Sequence, residues 1–353
     1  MRKSWERMSL YSIGVDLGGT NLRVSAYSAD RGLFDLIQLP TRILDGRDAV
    51  IDDMCGAILR LVDRYAAEYT LAGVGIGTPG PLELPVGRIH APPNLPGWDG
   101  FELREAIEKR LSRFVVLECD ANAAALAECL AGQGKALGLD SLCMLTLGTG
   151  VGNGIILEGE VWHGINGMAG EAGHATIWPD GLPCGCGSRG CLEMYASATA
   201  VQRMAMEAVE RQTSSGLMAL AELNPAFTTK EVFDVARAGD PGAQAIFDRV
   251  GEALGIELAA LINTLNLPLY VVGGGLASAW ELFAGTMFRE IRQRSYVYRF
   301  TEPKSLFPLD AESGKTYVVP AKLGTNSGIL GACLLPLSTK EEFAGALQSA
   351  TEA

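Results

Sequence analysis

Apolar positions along the chain fall into short runs broken by glycine turns, alternating with longer stretches at helical spacing. Residues 12–15 and 22–27 are apolar runs on either side of Asp16-Leu17-Gly18-Gly19-Thr20, a strand–turn–strand pattern. Residues 48–69 carry apolar side chains at helical spacing among mixed charges and predict a helix. Residues 72–76 predict a strand running into Thr78-Pro79-Gly80-Pro81, from which no helix starts directly. An amphipathic helix is predicted over 101–111 and a strand over 114–117. Glu118-Cys119-Asp120 then leads into an Ala- and Leu-rich helix over 121–130.

The pattern then begins again. A strand over 142–147, the turn Gly148-Thr149-Gly150 and a strand over 154–157 precede helices around 198–211, 229–238 and 243–265. A strand over 269–272 opens into Gly273-Gly274-Gly275, and a further helix follows. One plan thus occurs twice: strand, phosphate-sized glycine turn, strand, then helices. Such repetition predicts two similar halves facing one cleft. The mixture of strands and helices predicts an α/β class.

Length and charge narrow the function. The 353 residues suffice for two domains. A net charge of −12 without basic clusters argues against nucleic acid or an anionic membrane as partner. It does not argue against ATP, which magnesium, backbone amides and helix N-termini hold locally. The most apolar long stretch, 258–272, is broken by Asn263, Asn266 and Pro268, so no membrane span is expected. The polar start does not read as a signal peptide. With Cys55, Cys119, Cys129, Cys143 and Cys333 scattered as reduced thiols, a cytoplasmic protein is expected.

The glycine turns suggest a nucleotide. Gly18-Gly19-Thr20 exposes backbone N–H groups and a hydroxyl that suit a terminal phosphate, and Asp16 could hold Mg²⁺ through water. Gly148-Thr149-Gly150 offers the same groups, and Gly273-Gly274-Gly275 could receive the adenosine part. Singly, each is also an ordinary turn; the pair in corresponding positions points to function. Residues 75–80 satisfy G-x-G-x-x-G, with Asp99 about 20 residues on. That motif must open a helix, and Pro79, Pro81 and Pro85 prevent one, so a dinucleotide fold is not expected. There is no G-x-x-x-x-G-K-[ST] P-loop either.

His174, Cys184, Cys186 and Cys191 lie within 18 residues, with Gly181, Gly185, Gly187 and Gly190 among them. Cys₃His is a common structural zinc set, whereas a disulfide would strand the third thiol. With four protein ligands, such a site is closed and structural.

Asp16-Leu17-Gly18-Gly19-Thr20, Glu171-Ala172-Gly173-His174 and the run from Cys184 to Glu193 together resemble the ROK family of sugar kinases and repressors, over residues 13–334. The resemblance implies an actin-like (ribonuclease H-like) ATPase fold of two lobes around a cleft. The expected small lobe is 1–119 plus about 336–353. Residues 120–335 form the large lobe, with the zinc motif and the nucleotide and oligomer contacts. The resemblance further implies that Asp120 is the catalytic carboxylate, accepting a sugar hydroxyl's proton and aiming it at the γ-phosphate of ATP. It implies sugar contacts from Gly80, Asn94, Asp120, Glu171, His174 and Glu193, and zinc on the four ligands named above. Cys119 stands where the family commonly has an Asn that bonds the sugar. Glucose is the expected substrate, because residues 94–98 resemble the glucokinase branch. N-acetylglucosamine, N-acetylmannosamine, mannose, fructose and allose stay open. A sugar-responsive repressor is the rival reading, but it would carry a basic helix-turn-helix before the Asp16 segment, and only about a dozen residues precede the first strand. A homodimer or homotetramer is expected.

Overall fold

The computed structural model describes residues 9–92, 94–305 and 311–338; the expected small-lobe segment 339–353 lies outside them. Strands β1 (Ser9–Leu17), β2 (Asn21–Ser28), β3 (Gly32–Pro40) and β4 (Tyr69–Thr78) come first. Three two-residue strands, β5 (Leu82–Glu83), β6 (Arg88–Ile89) and β7 (Phe101–Glu102), form a small antiparallel sheet of their own. With β8 (Val115–Cys119), the larger strands make a sheet in the order β3-β2-β1-β4-β8. β1 and β2 are antiparallel; β4 and β8 run parallel to β1.

Alternation along β1 and β4 decides what lies on each face of this sheet. Ile13, Val15, Val74 and Ile76 join a core with Ile51, Met54, Ile58 and Leu61 of the helix Arg47–Tyr65. The intervening Ser12, Gly14 and Gly75 meet the helix Ser327–Ser338. Ser12 Oγ donates to the Cys333 carbonyl at 2.6 Å. A Cβ on Gly75 would lie 2.0 Å from the Ala332 carbonyl oxygen. This glycine, which opens the G-x-G-x-x-G match, therefore serves close helix–strand packing, and β4 continues through it to Thr78.

The second sheet repeats the plan. β9 (Leu142–Leu147), β10 (Val151–Leu157), β11 (Glu160–Val161), β12 (Leu269–Gly273) and β13 (Tyr317–Pro320) take the order β11-β10-β9-β12-β13. Again the first two strands form an antiparallel hairpin, and β12 and β13 run parallel beyond it. The predicted duplication is thus present in the topology, and the class is mixed α/β. By contacts, the described residues fall into two units. One takes those up to Glu128, Gly159–Ala169 and those from Asn326; the other is Cys129–Glu158 with Gly170–Thr325. Among the described residues no helix is long and apolar enough to cross a membrane.

Several predicted boundaries move, among them the start of β10, expected at 154 and found at Val151; two other shifts show their cause. The helix expected over 48–69 is Arg47–Tyr65, and Tyr69 instead opens β4, paired with Ser9. Phe101–Glu102 form β7 against β6, so the following helix is Leu103–Leu111.

The longest helix, Pro241–Leu265, shows how local chemistry sets its ends. Proline at the first position and Asn266 in the left-handed region after the last are favoured there. Asp240 is the N-cap, accepting from Ala243 N–H at 2.9 Å, and it also accepts from Ser214 Oγ at 2.6 Å and Gly216 N–H at 2.9 Å. Burial pushes its carboxyl upward, but these donors outweigh burial and hold it below the usual carboxylate range. A depressed value contributes stability above the unfolded pKa, and that stability is lost as pH falls through the folded one. Asp240→Ala is therefore expected to cost about 1–2 kcal/mol at pH 7. The gap to wild type should narrow below about pH 4, as urea unfolding at the two pH values would show. An equal gap at both would contradict this account.

Candidate functional site

In the first unit the carboxyl ends of three parallel strands gather the predicted residues, where open α/β sheets bind ligands. Asp16 on β1 is paired with Gly77 on β4, and Gly77 with Glu118 on β8. Gly80 follows β4, and Cys119 closes β8. The β1–β2 turn is pinned by Gly18 N–H donating to the Asn21 carbonyl at 2.9 Å and by Thr41 Oγ1 donating to the Gly18 carbonyl at 2.7 Å. Asn94 lies beside the same turn: a Cβ on Gly19 would be 3.0 Å from the Asn94 Cβ. Asp16 is not bare. Arg23, its cross-strand partner on β2, donates to Oδ2 through Nε at 3.0 Å and also through Nη2.

Asp120 is the first residue of the helix Asp120–Leu130, and its Oδ1 accepts from Ala121 N–H at 2.7 Å. The Cys119 thiol lies 3.6 Å from the same oxygen. Just before them, the Glu118 carboxylate is buried and bonded on both oxygens. Sequence reasoning passed over Glu118, because an acid at a strand end carries no signal of its own.

The second unit holds the other glycine turns. Gly148 N–H donates to the Gly150 carbonyl at 2.9 Å, and the Gly148 carbonyl accepts from Ala198 N–H at 2.8 Å. Gly148, Thr149 and Gly275 line one cavity of about 330 Å³, with Leu276, Ser278 and Ala279. Thr229, Lys230 and Phe233, from the first turns of the helix Thr229–Arg237, complete its wall; sequence reasoning missed them. Gly273 and Gly274 do not line it. Gly274 instead backs onto the Leu147 main chain, within 2.4 Å of any added Cβ. Ordinary turn glycines need no such cavity between them, and this one has a flat apolar wall, a cation and hydroxyls.

Glu193 touches the second turn directly. Its Oε2 accepts from Val151 N–H at 2.9 Å, and a Cβ on Gly150 would lie 2.2 Å from it. A side chain at Gly150 would push that carboxylate aside. Glu171 precedes the short 3₁₀ turn Ala172–His174. Burial pushes its carboxyl above the usual range; His174 works against this and Glu193 adds to it.

The ligand atoms of His174, Cys184, Cys186 and Cys191 all lie within 4.8 Å of one another. His174 Nδ1 is 3.7 Å from Cys184 Sγ, and Cys186 Sγ is 3.7 Å from Cys191 Sγ. Tetrahedral Zn²⁺ at about 2.3 Å from sulfur and about 2.0 Å from nitrogen would set such edges near 3.5–3.8 Å. The cage fits the ion. Burial pushes the Cys191 thiol up to about 12, so a cation is what would draw off its proton. The donor set and its spacing thus suggest a zinc site.

The sequence profile of the ROK family matches residues 12–338, both units included. The chain belongs to the ROK family. Among ROK relatives, the glucokinase of Halalkalibacterium halodurans is 35% identical over 90% of this chain and 92% of its own. The glucokinase of Thermotoga maritima is 36% identical over 94% of this chain and 98% of its own. Among solved ROK structures, a glucokinase from Streptomyces griseus in complex with glucose and AMPPNP superposes with a TM-score of 0.74. It is 30% identical, over 92% of this chain and 98% of that one. The actin-like ATPase fold of the ROK structures is therefore the fold of this chain, and its His/Cys cluster is consistent with the ROK zinc motif.

Proposed function

We propose that this ROK protein transfers the γ-phosphoryl group of ATP to a hydroxyl of a hexose, with glucose as the preferred sugar and glucose 6-phosphate as product. The observation that carries the reading is the placement of Asp120. A carboxylate opens a helix at the end of β8, beside strand ends that also carry Asp16 and the first glycine turn. The likeness to glucokinases over nine-tenths of the chain supports the choice of sugar.

A sugar hydroxyl is a weak nucleophile. Asp120 takes its proton as the oxygen attacks the γ-phosphorus in line, and the bond to ADP breaks. Glycine-turn amides at Gly19 and Thr20, and at Thr149 and Gly150, donate to phosphate oxygens, while those of Gly18 and Gly148 close the turns themselves. Gly275 with Lys230 and Phe233 seats the nucleoside in the cavity. Asp16, shared with Arg23, would hold Mg²⁺ through its water shell, and the ion would neutralise charge on the phosphates. Gly80, Asn94, Cys119, Glu171, His174 and Glu193 contact the sugar. His174 serves twice: Nδ1 faces the thiols, which leaves Nε2 for a hydroxyl. Zinc itself is structural.

A panel of glucose, mannose, fructose, allose, N-acetylglucosamine and N-acetylmannosamine with MgATP tests this. Glucose is expected to show the highest kcat/KM. Turnover of none of them would overturn the kinase reading, and a preferred N-acetyl sugar would overturn the choice of substrate.

A further inference from the structure

Glu118 has no part in the chemistry above, yet its carboxylate, two residues before Asp120, is bonded on both oxygens. It is 3% exposed. Its Oε1 accepts from the Cys119 N–H at 2.8 Å and from the Asn122 amide at 2.9 Å. Its Oε2 is 2.5 Å from Nε2 of His163. Cys119 is the last residue of β8, and Asn122 lies in the first turn of the helix that Asp120 begins. One carboxylate therefore spans the strand-to-helix junction, with Asp120 in its middle. Asn122 is 1% exposed and its Oδ1 has no hydrogen-bond partner among the described residues. The bond to Glu118 is thus what sets that amide's orientation.

His163 arrives from a separate stretch of the first unit, 45 residues further along the chain. That stretch is held by Leu84 N–H donating to the Asn166 carbonyl at 2.9 Å and by Gly167 N–H donating to the His163 carbonyl at 3.1 Å. The imidazole is 40% exposed and caps the far oxygen of the buried acid. The bond to Glu118 draws the ring toward its protonated form, against the effect of burial. A buried carboxylate is a poor way to gain stability, since an apolar residue of similar volume does as well. Three directional bonds do what apolar packing cannot: they hold one backbone geometry.

We infer that Glu118 and His163 are positioning residues for the reaction, fixing the β8-to-helix junction so that the Asp120 carboxylate is aimed at the sugar hydroxyl. The inference rests on the reading of Asp120 as the base. Small misplacement of a catalytic group costs large factors in rate while leaving substrate binding nearly intact.

The test uses the full chain with MgATP and glucose, or the hexose that the panel returns. His163→Ala is expected to lower kcat about 10- to 100-fold, with the sugar dissociation constant from calorimetry changed less than about threefold. His163→Gln keeps a donor for Oε2 and is expected to recover most of that loss. Glu118→Gln keeps one acceptor oxygen for the Cys119 and Asn122 donors but meets the His163 N–H with an amide NH₂, and is expected to resemble His163→Ala. If His163→Ala and Glu118→Gln both keep kcat within about twofold, the inference is wrong. It is equally wrong if His163→Gln is no better than His163→Ala, or if each loss merely follows the folded fraction seen by circular dichroism. Asp120→Asn in the same series separates the two claims. An active Asp120→Asn removes the base itself, whereas an inactive one beside normal Glu118 and His163 variants removes only the positioning role.

Discussion

Asp120→Ala should lose about 10²- to 10⁴-fold in kcat while still binding sugar, the range that a positioned general base contributes. The group sits where its removal is informative. It is the first residue of its helix and bonds the next N–H, so a truncation also disturbs the helix start by about 1 kcal/mol. Asp120→Asn keeps the shape, and an equal loss in both variants assigns the effect to the proton acceptor. Steady-state turnover with MgATP and glucose, beside calorimetric titration of glucose alone, separates rate from binding. A rate within tenfold of wild type in either variant would move the base elsewhere.

The second large effect is expected at the thiol cluster. Cys186→Ala should bring zinc content from one ion per chain to near none by elemental analysis. The melting midpoint should fall by on the order of 10 °C, because structural zinc contributes several kcal/mol to local folding. Cys186 is the right ligand to remove, being exposed where Cys184 and Cys191 are buried. Its loss leaves no cavity, so any destabilisation belongs to the metal. Sugar affinity should weaken too, since His174 is both a ligand and a proposed sugar contact. A chelator applied to the wild-type protein should reproduce all three changes. Unchanged metal content in Cys186→Ala would refute the site.

Much of this was legible in the sequence because the decisive segments carry their own signals. Apolar runs bounded by glycine mark β1, β2, β9 and β10, and β9 falls on the residues expected of it. Three thiols and an imidazole within 18 residues announce a metal before any folding is known. What was not legible depends on distant partners. β3 has no fully buried residue and a kink at Asp35, so its alternation is weak. β13 is four residues long, and burial by β12 is what makes it a strand. The helix Ser327–Ser338 contains Pro336 and two glycines, which local propensity alone would not make helical; its seat against Gly14 and Gly75 does. Glu118 acquires meaning only when the fold brings His163 to it. The cavity residues Lys230 and Phe233 read as an ordinary amphipathic turn behind the Thr228 capping box.

That seat for the helix Ser327–Ser338 also orders the events of synthesis. β1 and β4 leave the ribosome early, but the layer that covers their Ser12, Gly14 and Gly75 side is encoded more than 250 residues later. The second unit, complete by Thr325, can close around its own core before that layer has been translated. The first-made half is therefore the last to finish, and a nascent chain halted short of residue 327 leaves the Ser12, Gly14 and Gly75 part of that sheet face open to whatever guards unfinished proteins.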